Sequence, residues 1–457
     1  MHISVVLFTA DLRLHDHPPL RAALDAADAV VPLFVLDPAI EESGFAAPNR
    51  RAFLHDCLAD LDASLRERGG RLVVRRGATV DQVCRVVTEA DACEVHVSAG
   101  HSAFAMHREE RLRTALERSG RRLFVHEAVT VAVPPGTITP AACDHFTVFT
   151  PYHRHWEGTP LRAVVAAPGR VRVPDEVGGE EIPPLTGTGV SPALPPGGEG
   201  SARAQAAAYW RDGLDAYDDT RDDLGADATS RFSAPLHFGT LSPVELVQRA
   251  RRHGGAGARS FVRQLAWRDF HRQVLAARPS SAHTELRTRH DHWRTERDAR
   301  ADIDAWREGR TGYPVVDAAM RQLREEGWMH NRARLLTASF LTKTLYIDWR
   351  VGAAHFLHWL VDGDLANNQL NWQWMAGTGT DTRPHRVLNP VTQGKKYDPS
   401  GVYVHRWVPE LRGVAAPRVH EPWRLPGLDR AVLAYPEPVV DLAEGLERFR
   451  RARGKRP

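Results

Sequence analysis

Five short apolar runs in the first ~130 residues, at 5–8, 30–36, 72–74, 95–97 and 123–125, are separated by stretches with helical spacing. One such stretch places Phe53, Cys57, Leu58, Leu61 and Leu65 on a single helical face. Strands that alternate with helices imply a parallel, doubly wound sheet, so this part of the chain is constrained to an α/β layer structure. A sheet of that kind takes ligands beyond the carboxyl ends of its strands. Here those positions are the turn after Phe8 (Thr9, Ala10, Asp11, Leu12, Arg13) and the turn after Leu36 (Asp37, Pro38). Neither turn carries a GxGxxG or Walker pattern, which argues against a dinucleotide there.

The pattern then changes twice. Residues 131–200 are rich in Pro and Gly with little periodicity, and read as a connector draped over the surface. From about residue 201 the spacing is helical: Val315, Val316, Ala319, Met320 and Leu323 share a face ending at Gly327, and Leu335, Leu336, Phe340, Leu341 and Leu345 repeat the rule. A chain of 457 residues exceeds what one core fills. The expected organisation is an α/β domain at 1–130, a connector at 131–200 and an all-α domain at 201–457, with a frayed basic tail at 448–456. The N-terminus has no basic n-region and no window approaches the ~18 apolar residues of a membrane span, so a cytoplasmic protein with no membrane partner is expected. Cys57, Cys84, Cys93 and Cys143 show neither CxxC pairing nor zinc-finger spacing and read as buried filler, with no metal site.

Charge is divided unevenly. Residues 1–200 carry 20 Lys+Arg against 26 Asp+Glu, whereas residues 201–457 carry 40 against 31. Residues 251–300 alone hold 12 arginines interleaved with Phe261, Trp267, Phe270, His271 and Trp293. Cations alternating with aromatics suit a polyanion with stackable bases, although a solvated arginine-rich face has the same composition.

Three segments exceed what packing needs. Residues 349–381 hold four Trp, three Asn and three Asp around one apolar helix, and each buried indole N–H or carboxamide needs a partner, so a wall against a large flat cofactor is the favoured reading. Thr229, Ser230, Arg231, Phe232 and Ser233 precede a helix start near Pro235, a set of hydroxyls, backbone N–H groups and one Arg suited to a pyrophosphate. In WMHNRAR, Asn331 and Arg334 lie three apart and can point inward together while Arg332 points elsewhere; the carboxylates within reach of an inward Arg are Asp362 and Asp364.

TSRFSAPLHFGTLSP, FVRQLAWRDFHRQ, the run from GRTGYPVVDAAM to LYIDWR, and DGDLANNQLNWQWMAGTGTD together resemble the flavin-binding half of the DNA photolyase and cryptochrome family, and ADLRLHD at 10–16 extends the likeness toward the N-terminus. The resemblance implies light-driven repair of cyclobutane pyrimidine dimers by electron transfer from excited, reduced, anionic FAD. It implies that Tyr217, Thr229, Ser230, Arg231, Phe232, Ser233, Phe261, Gln264, Arg268, Asn331, Arg334, Asp362 and Asp364 hold a folded FAD, with Asn368 against flavin N5, where plant cryptochromes carry Asp. It implies that Trp267 and Trp374 sandwich the flipped dimer, with Gln264, Arg268, Asn331, Arg332, Leu335 and Arg386 contacting lesion or DNA. Trp372, Trp349 and Trp293 match the indole chain that photoreduces the flavin.

The chain departs from the pattern at several places. Gln264 stands where dimer-splitting relatives commonly show Glu and where (6-4) photolyases resemble it, yet (6-4) enzymes carry His at the position of Asn331. Phe261 replaces a usual Trp and Leu335 a usual Met. For the antenna chromophore, 8-hydroxy-5-deazaflavin is expected in preference to methenyltetrahydrofolate, because Arg50 aligns with a deazaflavin-pocket arginine, although the stretch 98–101 lacks an acid that some deazaflavin binders carry. The alternative readings are a (6-4) photolyase and a blue-light photoreceptor; the latter needs an effector surface, and only ~50 residues follow the 401–411 segment. UV-damaged DNA, double- or single-stranded, is the expected partner of a monomer with no obligate protein partner.

Overall fold

The computed structural model describes residues 1–184 and 188–454. The expected strands form one parallel sheet of β1 (Ile3–Phe8), β2 (Ala29–Leu36), β3 (Val73–Arg76), β4 (Glu94–Ser98) and β5 (Arg122–His126), in the order β3-β2-β1-β4-β5. Ile3 lies opposite Ala29 and Ser4 opposite Glu94, which fixes the register of β1 between its neighbours. Every residue of β1 is buried, as an apolar strand covered by helices on both faces must be. The strand order reverses at β1 and β4, and the crevice at their carboxyl ends is where such a sheet would take a ligand.

That crevice is closed by the helical part of the chain, which corrects the expectation of a pocket at the turn after β1. Leu12 N donates to Phe238 O at 3.1 Å, and the buried Arg13 donates to Gly239 O at 2.8 Å and Val129 O at 3.1 Å. Asp11 is buried on His17 and Ser98. Gly239 has a φ of 72°, and a Cβ there would come within 2.0 Å of Ala10 O, so the close approach requires Gly. The turn after β2 does border a hollow of about 390 Å³, lined by Asp37, Thr79, Phe104, His107, Arg108 and Arg111 among others.

The remainder is helical, and the long helix Gly255–Ala277 runs through its centre. The connector is more ordered than its composition suggests. It contains the helix Phe149–Gly158, whose buried Trp156 donates its Nε1 to Asp269 on the long helix at 3.0 Å. Asp269 also accepts from the N–H groups of Ala132 and Val133, three donors that make a buried carboxylate tolerable. The part of the connector at 185–187 lies outside the described residues.

Three further expectations need correction. The helix expected through Leu345 is α-helical only over Asn331–Ser339 and widens into a π-turn at Phe340–Thr344. Thr337 and Thr342 return their hydroxyls to the carbonyls of Ala333 and Ala338, a side-chain competition that loosens helical geometry. The tail is a helix over Leu442–Ala452, and the Arg453 side chain is buried against Asp291; residues 455–456 lie outside the described part. Of the four free cysteines only Cys57 is buried, while Cys93 and Cys143 are exposed. No helix is long and apolar enough to cross a membrane among the described residues.

Candidate active site

The helical domain encloses a cavity of about 420 Å³ bounded by the long helix Gly255–Ala277, the helices Asn331–Ser339 and Leu365–Ala376, and the hydroxyl-rich segment before the Ser233–Phe238 helix. It adjoins a second hollow of about 370 Å³ that shares Tyr217, Ser230, Phe232, Ser233, Gln264, Asn331, Arg334 and Asp362 as lining, so the two form one elongated space.

The polar wall follows from two helix starts. Asp364 caps the Leu365–Ala376 helix by accepting from Asn367 N at 2.8 Å, and also takes Arg272 at 2.7 Å. Burial opposes its charge, but Arg272 and Arg268 hold its carboxyl well below the usual carboxylate range. His330 caps the Asn331–Ser339 helix through Nδ1, which accepts from Arg332 N at 3.1 Å. That start sends Asn331 and Arg334 to the cavity wall, and Arg334 donates to Asp362 at 2.8 Å and to Met329 O at 2.8 Å. Arg268 is buried with its guanidinium on the carbonyls of Thr130 and Leu236, and burial lowers its pKa to about 9.

Several buried atoms around this space lack protein partners: Asp362 Oδ1, Thr229 Oγ1 and His237 Nδ1. Buried polar atoms are seldom left unpaired, and this mixture of acceptor, hydroxyl and ring nitrogen fits a ligand that both donates and accepts along its length, as FAD does. Asn368 gives its Nδ2 to Ala353 O at 3.1 Å and Gln369 Oε1 at 3.0 Å. Its Oδ1 takes no hydrogen bond from the described residues and remains an acceptor for the cavity.

The aromatic wall holds Trp267, Trp372 and Trp374. Trp267 is stacked on Phe149 with centroids 3.7 Å apart and planes at 7°, which braces one of its faces. Trp372 stands edge-on to Phe356 at 4.9 Å and to Trp306 at 6.1 Å, its ring lying directly over Gly352. Trp349 is wholly buried with Arg350 over its ring at 4.7 Å, and Trp293 is half-buried against Tyr346 at 4.8 Å.

Tyr217, Ser230, Phe232, Ser233, Phe261, Gln264, Arg268, Asn331, Arg334, Leu335, Asp362, Asp364 and Asn368 thus line the main cavity, while Thr229, Arg231 and Arg332 border only the adjoining hollow. The expected role of Arg231 as the cation of a phosphate site needs correction. Its guanidinium is paired with Asp227 at 2.7 Å and Glu326 at 3.2 Å and lies over Trp328, so its charge is already satisfied. Arg332 is likewise held by Asp222 at 2.6 Å over the ring of Tyr397. Arg50 points neither into the cavity nor into the hollow beside Asp37: it donates to Phe45 O at 2.7 Å and Leu360 O at 2.6 Å, bridging the two parts of the chain. Arg386 is exposed, on a loop whose carbonyl takes Lys343 Nζ at 2.7 Å. Sequence reasoning missed Arg272, His237, His271, Asn367 and Phe149. Arg272 lies four residues after Arg268, so its helical face was legible; Phe149 was hidden in a segment read as connector.

Residues 261–455 match the family described as the FAD binding domain of DNA photolyase, and residues 4–169 match the family described as DNA photolyase. The chain is 59% identical over 456 residues to a deoxyribodipyrimidine photo-lyase of Streptomyces griseus, covering 99% of this chain and 100% of that protein. Its backbone is similar to a bacterial class III photolyase of Agrobacterium tumefaciens, with a TM-score of 0.93, 30% identity, and 99% and 97% of the two chains covered. An archaeal photolyase of Sulfolobus tokodaii, described with two FAD molecules, has a TM-score of 0.86 at 29% identity over 98% and 99% of the chains.

Proposed function

The chain belongs to the DNA photolyase family, and from that premise we infer that the elongated cavity seats FAD and a flipped-out pyrimidine dimer against one another. The activity is light-driven repair of cyclobutane pyrimidine dimers in DNA, a carbon–carbon lyase reaction. When bound, reduced FAD supplies on illumination the electron that opens the cyclobutane ring. The protein's share is to hold, orient and exclude water.

Asp362, Asp364, Arg268 and Asn331 grip the cofactor, with the hydroxyls of Thr229, Ser230 and Ser233 along the adjoining hollow. The free Oδ1 of Asn368 accepts from an N–H, which favours the reduced flavin with a hydrogen on N5. Trp267, braced by Phe149, and Trp374 present flat faces to the lesion, and the Gln264 amide donates to a pyrimidine carbonyl. A dimer leaves the stack at lower cost than a normal pair because its pairing is already impaired. The exposed Arg386 and the solvent-exposed arginines of residues 251–300 take backbone phosphates, whereas Arg268 and Arg272 are engaged at the cavity. Trp372, Trp349 and Trp293 carry electrons inward from the surface, Trp372 alone touching the cavity. The antenna is 8-hydroxy-5-deazaflavin in preference to methenyltetrahydrofolate, and the hollow beside Asp37 and Arg108 offers it a seat. The protein acts as a monomer on double- or single-stranded DNA.

The observation that carries the reading is the convergence in one cavity of a carboxylate and arginine lattice with Trp267, Trp372 and Trp374. Dimer-containing oligonucleotide under blue light should be restored to monomeric pyrimidines, and left unchanged in darkness. Equal outcomes in light and dark would refute it. Fluorescence of the chromophore released by denaturation identifies the antenna, and folate emission would overturn that part.

A further inference from the structure

Tyr346 stands out in three independent ways. It is a non-glycine residue with a φ of 58°, a left-handed conformation that side-chain-bearing residues avoid, placed just after the π-turn Phe340–Thr344. Its ring lies 4.8 Å from the ring of Trp293, inclined by 38°. Its hydroxyl donates to Asp291 Oδ1 at 2.9 Å.

Asp291 is itself unusual. Its side chain is 0% exposed, its Oδ1 is ion-paired with Arg453, whose Nε lies 2.7 Å away, and its Oδ2 is buried with no hydrogen-bond partner. Arg453 balances its charge at Oδ1, and the unpartnered Oδ2 leaves the carboxylate a second acceptor oxygen. Tyr346 is 3% exposed, wedged between Trp293 and Phe449. Burial pushes its phenol well above its ordinary pKa, so at rest it keeps its proton.

We propose that Tyr346 is the terminal electron donor of the indole relay, with Asp291 as its proton acceptor. The proposal rests on the relay through Trp372, Trp349 and Trp293. The Trp293 segment is joined to the start of the Trp349–Trp359 helix, since Arg294 N donates to Tyr346 O at 3.1 Å and Arg294 bridges Ile347. When Trp293 has given up an electron inward, one electron passes from the Tyr346 ring to the Trp293 indole. The phenol proton passes along the existing hydrogen bond to Asp291, because an oxidised phenol is a strong acid. Neutral Trp293, a neutral tyrosyl radical and a protonated Asp291 result, so charge and electrons balance. Back-transfer then requires the proton to return as well, which lengthens the separated state. A small thiol in solution returns the missing electron, and Asp291 returns the proton.

Flash excitation of the flavin-loaded protein, followed by transient absorption, tests this. The narrow band of a tyrosyl radical should grow as the indole radical decays, severalfold more slowly in heavy water. Tyr346→Phe should abolish that band, prolong the indole radical and lower the yield of stable flavin reduction severalfold. Asp291→Asn should keep the tyrosine yet slow its oxidation. Bound flavin per protein and melting temperature report folding of each variant, and the heavy-water effect stands independently of both. A tyrosyl band surviving in Tyr346→Phe, or an indole radical in the unaltered protein that never yields tyrosyl, would overturn the proposal. The relay itself fails differently: flash signals would then be unchanged in Trp372→Phe.

Discussion

Asp362 commits one oxygen to Arg334 and leaves the other without a protein partner, and that division makes it both a structural and a binding group. In Asp362→Asn the charge opposite Arg334 is lost and the cavity acceptor weakened. We expect roughly 1–3 kcal/mol of lost stability, from a partly buried guanidinium left uncompensated. Bound flavin should fall with it; calorimetry and flavin absorbance per protein measure the two, and full flavin content at unchanged stability would contradict the assignment. Gln264 has no such double role. It lines the cavity, and an acid there can accept from the lesion as readily as the amide can donate, so Gln264→Glu should keep or raise dimer repair. Abolished repair in that variant would mean that the pocket is assigned to the wrong substrate. Residue-level reading of the sequence succeeded for Arg334 and Asp362, although they lie 28 positions apart, because an inward-facing Arg needs a carboxylate and the Trp- and Asn-rich segment offers Asp362 and Asp364. It failed for Arg231, whose charge is satisfied by Asp227, four positions away, and by Glu326, 95 positions away; the first spacing was legible and was overlooked, and no spacing rule reports the second.

Two helix starts and one helix crossing set the cavity's shape. The His330 cap works only while Nδ1 is a lone pair, and burial lowers the pKa of this imidazole from 6.5 to about 4. The unfolded chain therefore binds the proton near pH 6.5 and the folded chain only near 4, so the contribution of this group is present above pH 6.5 and lost as pH falls toward 4. At pH 5 the loss amounts to no more than about 2 kcal/mol. Melting temperature followed from pH 7.5 to 5 should fall, and His330→Gln should flatten the profile; identical slopes would place the dependence elsewhere. At the crossing of the Trp349–Trp359 and Leu365–Ala376 helices, Gly352 admits the Trp372 ring, and a Cβ there would lie 2.1 Å from it. Gly352→Ala should therefore push the indole into the cavity at a cost of roughly 1–3 kcal/mol. Flavin affinity should drop with repair, and an unaltered affinity would show that the helices can separate instead. The helices themselves were legible from periodicity. The π-turn was not, since the apolar pattern continues through it and only the threonine hydroxyls loosen the backbone.

At the scale of the whole molecule, the sheet was legible because strands buried on both faces are written as continuous apolar runs, whereas the closure of its ligand crevice could not be read. Nothing in ADLRLHD says whether its arginine faces a ligand or another part of the chain. In the fold Arg13 joins Asp16 O, Val129 O and Gly239 O, while the N–H groups of Leu14 and His15 take Glu199 at 2.6 and 3.1 Å. Arg50 and Asn49 add a second tie, to Leu360 O and Trp359 O. The cavity depends on these ties, for Leu360 lines it and Asp362 follows two residues later. An antenna in the α/β part would transfer excitation to a flavin at a distance and angle that they fix. Arg13→Ala strands carbonyls at the junction without donors, a loss of roughly 2–4 kcal/mol. Because those carbonyls belong to both halves, the loss should fall on their coupling more than on either core. We expect one thermal transition for the unaltered protein and two for the variant, protease cleavage of the variant within residues 131–200, and a greater decline of repair than of flavin binding. One transition at the parent temperature, with the connector still resistant, would show that the Asn49 and Arg50 tie holds the halves together alone.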